Sequence, residues 1–271
     1  MDYRVLKEFI DNGSYREMKE VEYKLKVMKD SIRAYQENSN RKRMEWKKYG
    51  VVGKFIGFKR YSTDLQSIYE ILENHGVIHL VLKVKWTKLT TEEQKKLFKF
   101  VVPSPPHLRF VHTCSKNSNE ILIPQDIIQL NIDDCVREWK DLKCFFDRKI
   151  IQWNSIKKLT LVEMMRRHDT NVNFSFGKAA IIKTSPKIST TVVYKECGAQ
   201  VIKNVGHIDH NKLIEYIAKG FVRKSEVNQF QKLIGIDLRY YLMEIRKEEN
   251  SRQVIQNEKN HLSELSRMTY E

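Results

Sequence analysis

Six apolar side chains, Met18, Val21, Leu25, Met28, Ile32 and Tyr35, recur at alternating spacings of three and four residues, a repeat that a helix places on one narrow seam. Lys, Glu and Arg occupy most of the positions between them, so the seam is the face of this helix that gains from leaving water. About two and a half heptads are too few for a coiled coil to stand alone. The seam therefore predicts a partner helix, either elsewhere in the chain, which is preferred, or in a second copy forming a homodimer. Ser14 with Glu17 three residues on reads as a capping box and marks the expected start.

The heptad pattern stops at Asn38-Ser39-Asn40, and the stretch from Arg41 to Tyr61 is the densest basic and aromatic run in the chain. It holds eight cations (Arg41, Lys42, Arg43, Lys47, Lys48, Lys54, Lys59 and Arg60), five aromatics (Trp46, Tyr49, Phe55, Phe58 and Tyr61) and three glycines. Cations supply phosphate contacts and release counterions, while flat rings stack on exposed bases, so the mixture suits an irregular or single-stranded nucleic acid. The competing reading is an amphipathic strand or helix whose rings are core and whose lysines are solvated.

Further along, Leu65 to Leu72 reads as a short helix ending at Gly76, and Val77 to Trp86 as a strand. Thr90 to Glu93 opens another helix. Arg109 to Cys114 with Glu120 to Ile123 reads as a hairpin, and Pro124 begins a mostly helical stretch carrying Ile127, Leu130, Val136, Trp139, Phe145, Ile150 and Trp153 and continuing to His168. Asn173 to Lys183 and Thr190 to Tyr194 alternate as a second hairpin, with a third strand to Val205. Leu213 to Ile217, Val227 to Ile234 and Leu238 to Met268 read as three helices. The fold class expected is mixed α/β (α+β) and helix-rich: a helical arm over 1–61, an α/β core over 62–205 and a helical region over 206–271.

The segment SEVNQFQKLIGIDLRYYLMEIRK, Ser225 to Lys247, resembles the helix-turn-helix family. Gly235 stands at the turn, Ile236 after it, and Asp237 at the second helix's N-cap. The resemblance implies that Arg239 and Tyr240 lie near base edges and Arg246 and Lys247 near phosphate. Two positions depart from the pattern: Gln231 occupies a site where that family prefers a small residue, and the late apolar position falls on Ile245 instead of Glu244.

Lys and Arg number 49 against 34 Asp and Glu, a net charge of +15, and that excess favours a polyanionic partner. With 41% apolar residues the chain can still fill a core. No run approaches the roughly 18 apolar residues of a membrane span, and Met1 to Ile10 lacks a signal-peptide core, so no membrane partner and a cytoplasmic or host intracellular location are expected. Cys114, Cys135, Cys144 and Cys197 contain no CxxC pair and read as reduced thiols.

Other constellations are weaker. NVGHIDHNK, Asn204 to Lys212, resembles the phosphate-loop peptide of translational GTPases, but Asn211 replaces a glycine and Leu213 the magnesium-binding hydroxyl; Asp209 as a helix N-cap accounts for the same residues. His207, Asp209 and His210 with Cys197 are the right donors for zinc without the spacing of a closed site. Asp134 and Glu138 are the nearest candidates for a nuclease metal site, though such an i,i+4 pair is ordinarily a solvated face. No cofactor and no catalytic residue is assigned. The sequence thus predicts a non-catalytic protein that binds nucleic acid, with DNA favoured over RNA because of the helix-turn-helix outline. The alternatives are an RNA-coating protein of a virus or mobile element, a protein-binding adaptor or inhibitor using the heptad seam, and a metal-dependent nuclease.

Overall fold

The computed structural model describes residues 3–113 and 131–268. Helices and small antiparallel sheets alternate through it, with helices at both ends, as the sequence predicts. By contacts the chain divides into two units, Met1–Ile56, Pro106–Lys183 and Leu238–Glu249 against Gly57–Pro105, Thr184–Asp237 and Asn250–Glu271. Each unit is assembled from distant pieces of sequence, a division that differs from the expected consecutive segments 1–61, 62–205 and 206–271.

The first unit begins with helices α1 (Arg4–Asp11) and α2 (Ser14–Asn38). Gly13, at φ 80°, makes the break between them, and Asn12 Oδ1 accepts the Ser14 amide at 3.0 Å. Ser14 is thus the first residue inside α2, and the expected capping box is absent; Glu17 instead pairs with Lys149 at 3.0 Å. Five seam residues, Met18, Val21, Leu25, Met28 and Ile32, are buried as expected. Tyr35 is 46% exposed, and Gln36 takes the buried place. A straight helix of 3.6 residues per turn drifts away from a 3.5-residue repeat, which moves the buried line from position 35 to 36.

The seam's partner is internal: helix α6 (Ile132–Arg166) contributes Cys135, Val136 and Trp139 to the cluster around Val21, Leu25, Met28 and Ile32. Asn131 caps α6 by accepting the Asp134 amide at 2.9 Å. A second cluster joins Leu6, Phe9 and Met18 to Trp153, Ile156 and Met164 of α6, and to Leu108 and Ala179. The last two lie on β4 (His107–His112) and β6 (Gly177–Ile182), which with β5 (Asn171–Phe174) form an antiparallel sheet in the order β4-β6-β5. β4 therefore pairs with a strand some seventy positions later, while Cys114, Glu120 to Ile123, Ile127 and Leu130 lie outside the described residues.

In the second unit, Asp64 caps α3 (Leu65–Asn74), and α4 (Ile78–Val81) leads into β3 (Leu82–Val84), so the expected strand over Val77 to Trp86 is reduced to three residues. Thr90 and Glu93 close a capping box on α5 (Thr91–Leu97). Thr190 to Tyr194 belongs to α7 (Thr190–Cys197), and α8 (Ala199–Val205) follows in place of a third strand. The β-branched run carries strand propensity, yet Thr190 and Val193, one helical turn apart, are buried together, and that packing decides the outcome. β7 (Gly206–Ile208) pairs antiparallel with β3, and α9 (His210–Ala218) and α10 (Lys224–Asn228) complete a core of Ile68, Leu72, Ile78, Leu97, Val193 and Ile202.

Three further strands form the sheet β1-β2-β8: β1 (Arg43–Trp46), β2 (Val51–Thr63) and β8 (Gln231–Glu244). The predicted helix-turn-helix is overturned here, because Gly235, Ile236 and Asp237 lie within one fourteen-residue strand and helix α11 starts only at Ile245 (Ile245–Met268). Ile234, Ile236, Leu238, Tyr240 and Leu242 alternate with more polar residues, the period of a strand.

Candidate nucleic-acid interface

The hairpin β1-β2 carries most of the basic stretch, and its rigidity comes from side chains that read in sequence as nucleic-acid contacts. Register sets Arg43 opposite Lys54, Met44 opposite Gly53, Glu45 opposite Val52 and Trp46 opposite Val51. Two cations facing each other across a ladder repel. Glu248, 1% exposed in the first turn of α11, resolves the repulsion by accepting Arg43 Nη2 at 2.7 Å and Lys54 Nζ at 2.9 Å. The Arg43 and Lys54 hydrogen bonds hold the Glu248 carboxyl down at about 2, outweighing the opposing effect of its burial. Arg43 also bonds Glu45. Arg43 and Lys54 are therefore structural cations.

Two other contacts fix the hairpin. Gln36 Nε2 donates to the carbonyl oxygens of Arg41 and Gly53 at 2.9 and 3.2 Å, and Lys140 Nζ donates to the Tyr49 carbonyl at 2.6 Å. Val51 and Trp46 join the core cluster, and Val52 is buried as well. Phe55 stacks obliquely on Tyr240, ring centroids 4.9 Å apart. Tyr240 is 7% exposed, which removes it from any base-reading surface. Its phenol is pushed upward by burial. Trp46, Phe55 and Tyr240 are thus core rings; of the five rings expected to stack on bases, Trp46, Tyr49 and Phe55 lie in or against the core, while Phe58 and Tyr61 are exposed.

What remains outward is a set of cations. Arg41 and Lys42 flank the entry to β1, Lys47 and Lys48 form the turn before Gly50, and all four are exposed without an ion-pair partner among the described residues. Lys48 Nζ lies 5.4 Å from the Tyr49 ring centroid. At about 3.3 Å per residue the two cation pairs are roughly 16 Å apart along the strand. Arg246, exposed in the first turn of α11, has no ion pair among the described residues either, whereas Lys247 is held by Glu244 at 3.1 Å and Asp147 at 3.3 Å.

In the second unit, Lys59 and Tyr61 are exposed on β2, and Arg60 pairs with Asp237 at 3.1 Å. Arg239, expected at base edges, sits on strand β8 and not on a recognition helix. Of the residues considered for metals, Asp134 accepts from Asn131 Nδ2 and pairs with Arg137 at 2.7 Å. Among the described residues no three His, Cys, Asp or Glu side chains gather as a metal site, those around Glu138, His207 and His210 included. Asp209 caps α9, accepting the Asn211 amide at 3.1 Å and pairing with Lys83 at 2.7 Å, the role read for it in sequence. Among the described residues no helix is long and apolar enough to cross a membrane. The residue that sequence reading missed is Glu248, one of several charged residues at the start of α11, whose partners lie some two hundred positions away.

The chain matches no protein-family model, no curated protein and no solved structure.

Proposed function

We propose that this protein binds nucleic acid without catalysing a reaction, gripping the phosphate backbone with Arg41, Lys42, Lys47 and Lys48 of the β1-β2 hairpin. The observation that carries the reading is that these four side chains are exposed and unpaired on a hairpin held rigid by Glu248 and Gln36, in a chain of net charge +15. With Trp46, Tyr49 and Phe55, the rings nearest these cations, in or against the core, contact by the four cations falls on phosphate, so recognition is insensitive to sequence. The reason for favouring DNA leaves with the helix-turn-helix, and the ligand class is nucleic acid as such.

Four phosphate contacts imply a slope of log affinity against log salt of about −3.6 on B-DNA, a loss of roughly a hundredfold between 50 and 200 mM salt. Fluorescence anisotropy against single-stranded RNA, single-stranded DNA and duplex DNA of scrambled sequences tests this. Binding that falls steeply with salt and ignores sequence supports the reading. Absence of binding at low salt removes it.

A further inference from the structure

The second half of α6 has two apolar faces, and the fold uses one. Trp153, Ile156, Thr160 and Met164 are buried in the first unit's core. On the opposite side Ile151, Leu159, Val162 and Met165 form a stripe with Ser155 at helical spacing, and these four are 50–66% exposed. Single exposed apolar residues are ordinary, but a row covering about 21 Å of helix, at 1.5 Å per residue, is a surface that gains from being covered.

The charges beside the stripe say what kind of surface covers it. Arg148, Lys158 and Arg166 run along it, all exposed and without an ion pair among the described residues. The neighbouring carboxylates are engaged, Asp147 by Lys143 and by Lys247 at 3.3 Å, and Glu163 by Arg167 at 3.1 Å. A second copy is a poor fit. Antiparallel pairing about the middle of the stripe brings Arg148 close to Arg166 and Lys158 close to its own copy, and like charges so placed oppose association.

We infer that this face of α6 is a docking site for an acidic amphipathic helix of another protein, its apolar side on Ile151, Leu159, Val162 and Met165 and its carboxylates on Arg148, Lys158 and Arg166. Helix-on-helix recognition of this kind reads apolar anchors at spacings of three and four, with flanking charges setting partner choice. The site is independent of the β1-β2 cations and stands whether or not the chain binds nucleic acid.

The test uses the full chain and two labelled peptides of about 18 residues, a length that spans the stripe with a turn to spare. Both carry Leu on one face at heptad spacing, one flanked by Glu and the other by Lys. The Glu-flanked peptide should bind at least tenfold more tightly. L159S/V162S should lose that binding by about tenfold or more with its circular dichroism unchanged, and K158E/R166E should invert the preference between peptides, so the proposal stays testable even if one variant folds poorly. Equal binding of the two peptides, or undiminished binding by folded L159S/V162S, overturns it. So does light scattering that finds a wild-type dimer and a monomeric L159S/V162S, which assigns the stripe to a second copy. Stripe-dependent binding to phosphatidylserine vesicles with no peptide preference assigns it to a membrane surface and equally overturns it.

Discussion

Arg43 and Glu248 stand 205 positions apart in sequence, and the guanidinium of the first donates to the carboxylate of the second at 2.7 Å. Lys54 reaches the other carboxylate oxygen at 2.9 Å, so one acidic side chain holds both strands of the hairpin against the start of α11. Replacing Glu248 with Ala leaves two facing cations, one of them largely buried. The expected cost is about 2–3 kcal/mol in urea unfolding, below the 3–5 typical of a fully buried pair because Arg43 is partly in water. A change under 0.5 kcal/mol contradicts this role.

The same carboxylate dictates an acid response. Its folded pKa of about 2 lies below the ordinary 4.5, so its contribution is complete above pH 4.5 and is lost as pH falls from there towards 2. The stability gap between wild type and Glu248→Gln, read from urea midpoints at pH 7, 5, 4 and 3, should therefore narrow on acidification. A gap constant over that range would show that Glu248 does not titrate as its contacts require.

Gly53 packs where no side chain fits. A Cβ there would lie 2.4 Å from both Gln36 Oε1 and Tyr240 Oη, two buried oxygens without a hydrogen-bond partner among the described residues. Gly53→Ala should destabilise by about 1–3 kcal/mol through overpacking. Tyr240→Phe removes a buried hydroxyl and should be neutral or stabilising by up to about 1 kcal/mol, with nucleic-acid affinity unchanged. Under the helix-turn-helix reading, Tyr240→Phe would instead weaken binding and leave stability alone.

The seam makes a graded prediction along one helix. Met28→Ala and Ile32→Ala should each cost about 2–5 kcal/mol, since both side chains are fully buried against neighbours that cannot close the cavity. Tyr35→Ala should cost under about 0.5 kcal/mol. Chemical denaturation separates the two outcomes, and equal costs at all three positions would mean that a partner covers Tyr35.

Legibility in the sequence followed the range of the interactions. The α2 seam up to Ile32, the short helix over Leu65 to Leu72 and the Asp209 cap rest on neighbours within a turn or two, and these readings match the structure, whereas Tyr35 and the Ser14 capping box do not. β8 was within reach, because the alternation from Ile234 to Leu242 is a strand signal; a Gly and an Asp at tempting offsets drew the reading to a helical turn. Thr190 to Tyr194 was not within reach, since its helix depends on burial of Thr190 and Val193 among residues far away in sequence. The candidate site divides in the same way. Counting cations found Arg41, Lys42, Lys47 and Lys48, but the long-range contacts to Glu248 separate them from Arg43 and Lys54, which serve the fold.

The most direct test of the central proposal compares salt dependence in wild type and Lys47→Ala/Lys48→Ala, by fluorescence anisotropy on duplex DNA at four salt concentrations. Loss of two phosphate contacts should make the slope of log affinity against log salt shallower by about 1.8, with the unfolding midpoint unchanged because neither side chain holds the hairpin together. An unaltered slope, or no binding by the wild type at the lowest salt, would contradict the account of the hairpin as a phosphate grip.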